Sequence, residues 1–117
     1  MSPEARKYAT YNDILALPDN MVGEIIDGEL IASPRPSLRH ALASSALGGE
    51  IFGPFSKGVG GGPGGWWILI EPELHLGQDI IVPDLAGWQK SKLKISAEEF
   101  FDKPFITGDL VKVDNFT

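Results

Sequence analysis

The sequence predicts an α+β fold, a mixed and mostly antiparallel sheet flanked by helices. Three observations lead there. Two apolar runs, Val22-Gly23-Glu24-Ile25-Ile26 and Leu30-Ile31-Ala32, flank Asp27-Gly28, a pair suited to a two-residue hairpin turn. A helical pattern follows Ser37. Further on, Trp66–Leu76 and Ile80–Trp88 are strand-like runs joined by the turn Gly77-Gln78-Asp79.

The elements follow in order. Thr10–Pro18 reads as a short helix, with Thr10 as cap, Asp13 at the capping-box offset and Pro18 as stop. The hairpin Val22–Ala32 comes next. Ser33-Pro34-Arg35-Pro36 is a rigid connector, after which Ser37 caps a helix from about Leu38 to Phe52. Its residues Leu38, Leu42, Ala46, Leu47 and Ile51 fall near helical spacing, and Gly48-Gly49 weakens its middle by roughly 1 kcal/mol per glycine. Seven of the 14 glycines lie from Gly53 to Gly65 and predict a flexible loop. This loop is no phosphate cradle, because it lacks a Gly-Lys-Ser/Thr ending and precedes a strand.

Trp66–Ile70 is predicted as a strand that Glu71–Leu76 continues, with Glu73 and His75 on one face and Leu74 and Leu76 on the other. His75 is expected to face solvent, and His40 to lie on the helix surface near Arg39. Gly77-Gln78-Asp79 turns the chain into the strand that bears Asp84. Ser96 and Glu99 form a capping box for a short helix through Phe101, and Leu110–Val113 reads as a last strand.

Composition bounds the function. At 117 residues, 43% of them hydrophobic, the chain is one small domain with a single core. Ten basic and 16 acidic residues give a net charge of −6, which argues against strong non-specific binding to phosphate backbones. There is no cysteine, hence no disulfide, thiolate zinc site or cysteine nucleophile. With no apolar leader and no membrane-length run, a cytoplasmic location off the membrane is expected.

The chemistry-bearing set is Glu24, Glu71, Glu73 and Asp84, all on predicted strands or strand ends. Hard divalent cations take carboxylate and water oxygens, and one or two protein carboxylates suffice. Phosphodiester hydrolysis uses such an ion to activate water and offset charge on the phosphate. The plainer alternative is that these are ordinary solvated strand residues.

Glu24-Ile25-Ile26-Asp27-Gly28-Glu29-Leu30 resembles the Glu-Leu-Ile-Asp-Gly-Glu-Leu signature of the Uma-type restriction endonuclease family. Flanking pieces fit in order: Thr10–Asp13, Ala16-Leu17-Pro18, Ser33–Pro36, Arg39-His40, Ala43–Glu50, Trp66–Leu69, Glu71–Leu76 and Val82–Trp88. Each is weak alone; their order and spacing are specific, over roughly residues 8 to 90. The family belongs to the PD-(D/E)XK nuclease superfamily, so the resemblance implies the N-terminal part of a restriction-endonuclease-like fold over residues 1–90. Residues 91–117 would be a divergent tail packing on the same domain. It further implies Glu24 and Asp84 as catalytic carboxylates. Asp84, Glu24 and Glu73 would be ligands for Mg2+ or Mn2+, with Glu71 as the other candidate for Glu73's place, and nucleic acid would be the partner.

After Trp88 the family pattern stops. Its second metal-binding acid, in a segment resembling Glu-Val-Leu-Ser-Pro-Ser-Thr, its lysine and two further strands have no counterpart. Glu98 and Glu99 fall on a helix, and Lys90, Lys92 and Lys94 have the wrong spacing. The chain therefore reads as truncated after the Pro-Asp motif, with nuclease activity impaired or absent. The alternative is a non-enzymatic remnant that forms homo-oligomers through an exposed sheet edge or binds a partner through its acidic surface.

Overall fold

The computed structural model describes residues 7–111. Helix α1 spans Tyr11–Leu15, where the Asp13 carboxylate accepts the Thr10 backbone N–H at 2.8 Å. Strands β1 (Met21–Ile26) and β2 (Glu29–Pro34) pair antiparallel, with Ile26 opposite Glu29. Asp27 and Gly28 have φ of 50° and 79°, as a type I′ turn requires. Helix α2 covers Leu38–Ile51 and is capped by Ser37, whose Oγ accepts the His40 N–H.

The glycine-rich stretch is built differently from the expected flexible loop. A wide π-helical turn over Phe52–Lys57 and a 3-10 turn over Val59–Gly61 carry α2 toward the sheet. Strands β3 (Trp66–Ile70), β4 (Leu74–Leu76), β5 (Asp79–Ile81) and β6 (Leu85–Gln89) follow. Helix α3 (Ala97–Phe101), capped by Ser96, leads to β7 (Ile106–Thr107).

β2-β1-β5-β4-β7 form a five-stranded sheet, antiparallel except for the β4–β7 pair, and β3 and β6 form a separate antiparallel ribbon. The α+β class with a mixed, mostly antiparallel sheet is therefore as the sequence predicts. The two continuous strands expected at 66–76 and 80–88 are each broken in the middle. β4–β5 and β3–β6 nevertheless share one register: Ile70 faces Leu85 and Leu74 faces Ile81. They are two halves of one long hairpin that opens where Glu71-Pro72-Glu73 faces Val82-Pro83-Asp84.

Local chemistry explains the opening. Glu71 sits at φ 51°, in the left-handed region. Pro72 and Pro83 fix φ near −65°, away from flat-strand values, and donate nothing to neighbouring strands. The hairpin partners then turn outward: the Val82 N–H goes to the Glu24 carboxylate, and the Glu73 carbonyl accepts the Ile106 N–H.

Burial is concentrated in two places. Ile25 of β1 pairs with Ile80 of β5, and both are buried. Phe100, Ile106 and Leu110 form the other centre, against which Leu69, Leu74, Trp88 and Leu93 pack. Of the strand expected at Leu110–Val113, Leu110 lies in a 3-10 turn and Val111 makes a single bridge to Leu93. Lys112 and Val113 fall outside the described residues.

Among the described residues several large apolar side chains stay exposed, Leu38, Leu42 and Ile70 among them. Among the described residues, no helix is long and apolar enough to cross a membrane.

Candidate functional site

The opened hairpin makes a cleft. Glu24 on β1, Glu71 after β3 and Asp84 before β6 line one cavity of about 130 Å³, floored by Val22 and Val82 and walled by Pro34 and Pro36. Each carboxylate is positioned by a different device. Glu24 is held by its bond to the Val82 N–H, 2.8 Å long, and is half-buried. Glu71 and Asp84 face each other in the hairpin register, tied by the Glu71 N–H donating to the Asp84 carbonyl at 3.0 Å. From the first turn of α2, His40 Nε2 stands 3.2 Å from Asp84 Oδ1, in a pair that is roughly half exposed on both sides. The cleft adjoins a larger cavity of about 320 Å³ between α1 and β1, which shares Val22, Glu71 and Val82 and carries Arg35 on its rim.

Glu24 and Asp84 thus line one cleft, and the acid beside them is Glu71. Glu73 stands elsewhere. Its Oε2 accepts the Tyr11 hydroxyl at 2.8 Å and lies 3.0 Å from His75 Nε2. Its position two residues along the strand, beyond the break at Pro72, takes it out of the cleft. The expectation that His75 faces solvent fails with it. Its side chain is 14% exposed and stacks on Phe105 at a centroid distance of 3.6 Å, with Tyr11 edge-on. Phe105 and Tyr11 are far from His75 in sequence, so strand alternation alone could not reveal that cover. Burial, and then the Glu73 hydrogen bond and charge, raise the Tyr11 pKa above its ordinary value of 10.

Sequence reasoning gave His40 no role, and the structure puts it on Asp84. The one signal was its place in the first turn of a helix following a rigid Pro-Arg-Pro connector. Among the described residues, no group of three or more His, Cys, Asp or Glu side chains is gathered tightly enough to hold a metal ion. Chemically, the cleft offers two or three carboxylates around a small water-sized space. A magnesium or manganese ion that keeps most of its waters needs only one or two of them.

No family profile matches the chain, and no curated protein does. A solved structure does: the crystal structure of a "putative nuclease belonging to DUF820" from Anabaena variabilis, with a TM-score of 0.59 and 21% identity. The match covers 77% of this chain and 48% of that one, so the chain spans about half the length of that protein. At this identity the likeness is one of fold.

Proposed function

Taking that nuclease-like fold as the premise, we propose that this chain is a metal-dependent endonuclease-fold protein of the PD-(D/E)XK type, acting on nucleic-acid phosphodiesters in the cytoplasm. Its hydrolysis is weak or absent in this chain. The observation that carries the reading is the shared cleft of Glu24, Glu71 and Asp84 at the broken Pro-Asp hairpin.

In this reading Glu24 and Asp84 would hold Mg2+ or Mn2+, with Glu71 in the place expected for Glu73. Glu73 would join them only by giving up Tyr11 and His75. A bound divalent ion supplies an acidified water and positive charge against the phosphate. The chain's own residues set the geometry. Val82 fixes the Glu24 carboxylate, and His40 turns the Asp84 carboxylate toward α2. The weakness follows from the donor set: among the described residues no lysine lines the cleft, which leaves part of the developing charge uncompensated.

Calorimetric titration with MnCl2 tests this. The chain is expected to give a binding isotherm that Asp84→Ala abolishes; indistinguishable heats for the two overturn the reading.

A second reading is favoured by a separate observation, the large apolar side chains of α2, Leu38, Leu42 and Leu47, that stay exposed. In it the chain is a non-enzymatic module of the same fold that self-associates, with the open edges of β3 and β6 as one route. A strict monomer in sedimentation at high concentration contradicts it.

A further inference from the structure

We propose that α2, with the groove beside it, is a two-fold interface for a second copy of this chain; this rests on the self-associating reading and assigns its surface.

A 14-residue helix in a small domain ordinarily buries one face. Here only Gly48 of α2 is buried, while Leu38 is 91% and Leu42 72% exposed. At about 100° per residue, Leu38, Leu42, Ser45, Gly49 and Phe52 fall on one stripe with the 4-3-4-3 spacing of a coiled-coil seam. The stripe runs beside an apolar groove of about 440 Å³, formed by Ser45, Gly48, Gly49 and Phe52 with Ile68–Ile70 of β3. Ile70 on its far wall is 60% exposed.

The stripe complements itself. In an antiparallel pairing across a two-fold axis at Ser45, Leu42 stands level with the partner's Gly48 and one residue, about 1.5 Å, from its Gly49 on the facing stripe. A Cβ added to Gly49 meets nothing within 4 Å, so the notch is open. Leu38 then meets the partner's Phe52. An isologous contact requires this pattern, in which each residue and its counterpart exchange places.

Charge agrees with shape. Arg39 and Glu50 lie on the same flank of the stripe, and the axis at Ser45 brings Arg39 to within one residue, about 1.5 Å along the helix, of the level of the partner's Glu50 on both sides. Within the described residues of one copy neither side chain forms an ion pair. His40 lies on the other side of α2, so the pairing leaves the Asp84 cleft open.

Sedimentation equilibrium with four chains tests the assignment. The unaltered chain is expected to be a dimer, and Leu42→Glu a monomer with an unchanged circular dichroism spectrum. Arg39→Glu is expected to raise the dissociation constant by about tenfold or more, and adding Glu50→Arg to restore it. Ser45→Cys, the sole thiol in a cysteine-free chain, should form a disulfide-linked dimer on mild oxidation, whereas Leu47→Cys on the far face should not. Helices packed at about 8–10 Å bring the Cα atoms on the axis within disulfide range. A monomeric unaltered chain overturns both the interface and the self-associating reading. A dimer indifferent to the Arg39 and Leu42 changes and not cross-linked through residue 45 overturns the α2 interface alone and points to a strand edge.

Discussion

Glu24 accepts the backbone N–H of Val82 at 2.8 Å, a side chain of β1 standing in for a ladder bond that the opened hairpin has given up. The same carboxylate therefore has two duties, closing the sheet and facing the cleft, and two substitutions separate them. Glu24→Gln keeps an acceptor oxygen for Val82 and removes the charge, so stability in urea should hold while Mn2+ affinity falls. Glu24→Ala loses both, and the unpaired N–H should cost about 1–2 kcal/mol in the same unfolding experiment.

Glu71 sits at φ 51°, a conformation that favours glycine and costs other residues of order 1 kcal/mol. Its side chain is exposed, so little packing is lost on removing it. Glu71→Gly is expected to leave the chain as stable or up to about 1 kcal/mol more stable. In calorimetry with Mn2+ it should bind more weakly. A variant that gains stability and keeps full affinity would remove Glu71 from the cleft's chemistry.

Gly28 carries the second left-handed position of the first hairpin, at φ 79°, and a Cβ there would run into the Tyr8 ring. Gly28→Ala should destabilise by about 1–3 kcal/mol, through backbone strain and displacement of the ring. Chemical denaturation monitored by tryptophan fluorescence reads the difference.

The Tyr11 phenol is held above its ordinary pKa of 10, first by burial and then by Glu73. The folded chain therefore favours the neutral phenol. Its contribution is complete below pH 10 and is lost as pH rises through the raised value. Melting temperatures measured from pH 8 to 11 should fall more steeply for the native chain than for Tyr11→Phe. The variant should start lower at pH 8, because Glu73 loses a donor.

Much of the local structure was legible. Asp27-Gly28 specified the hairpin because few residues accept two successive positive φ values. Ser37 and Ser96 specified their helix starts, because a serine oxygen satisfies an N–H that the helix leaves free. The break at 71–73 and 82–84 was not legible. Alternation alone reads through it, and only the pairing of the two segments shows two interrupted stretches facing each other. Parallel pairing of Ile106 with Leu74 was equally hidden, since 32 positions of chain separate two short segments with no local signal of their partner.

For the candidate site the division is similar. Local signals in the sequence place Glu24 three residues before the Asp27-Gly28 turn and Asp84 directly after Pro83. The tertiary structure decided that Glu71 joins them, that Glu73 goes to Tyr11 and His75, and that His40 reaches Asp84. The reason is physical. A side chain's face follows from strand period, but which carboxylate meets which donor depends on where a left-handed residue and two prolines bend the backbone, and on which distant element fills the space that opens.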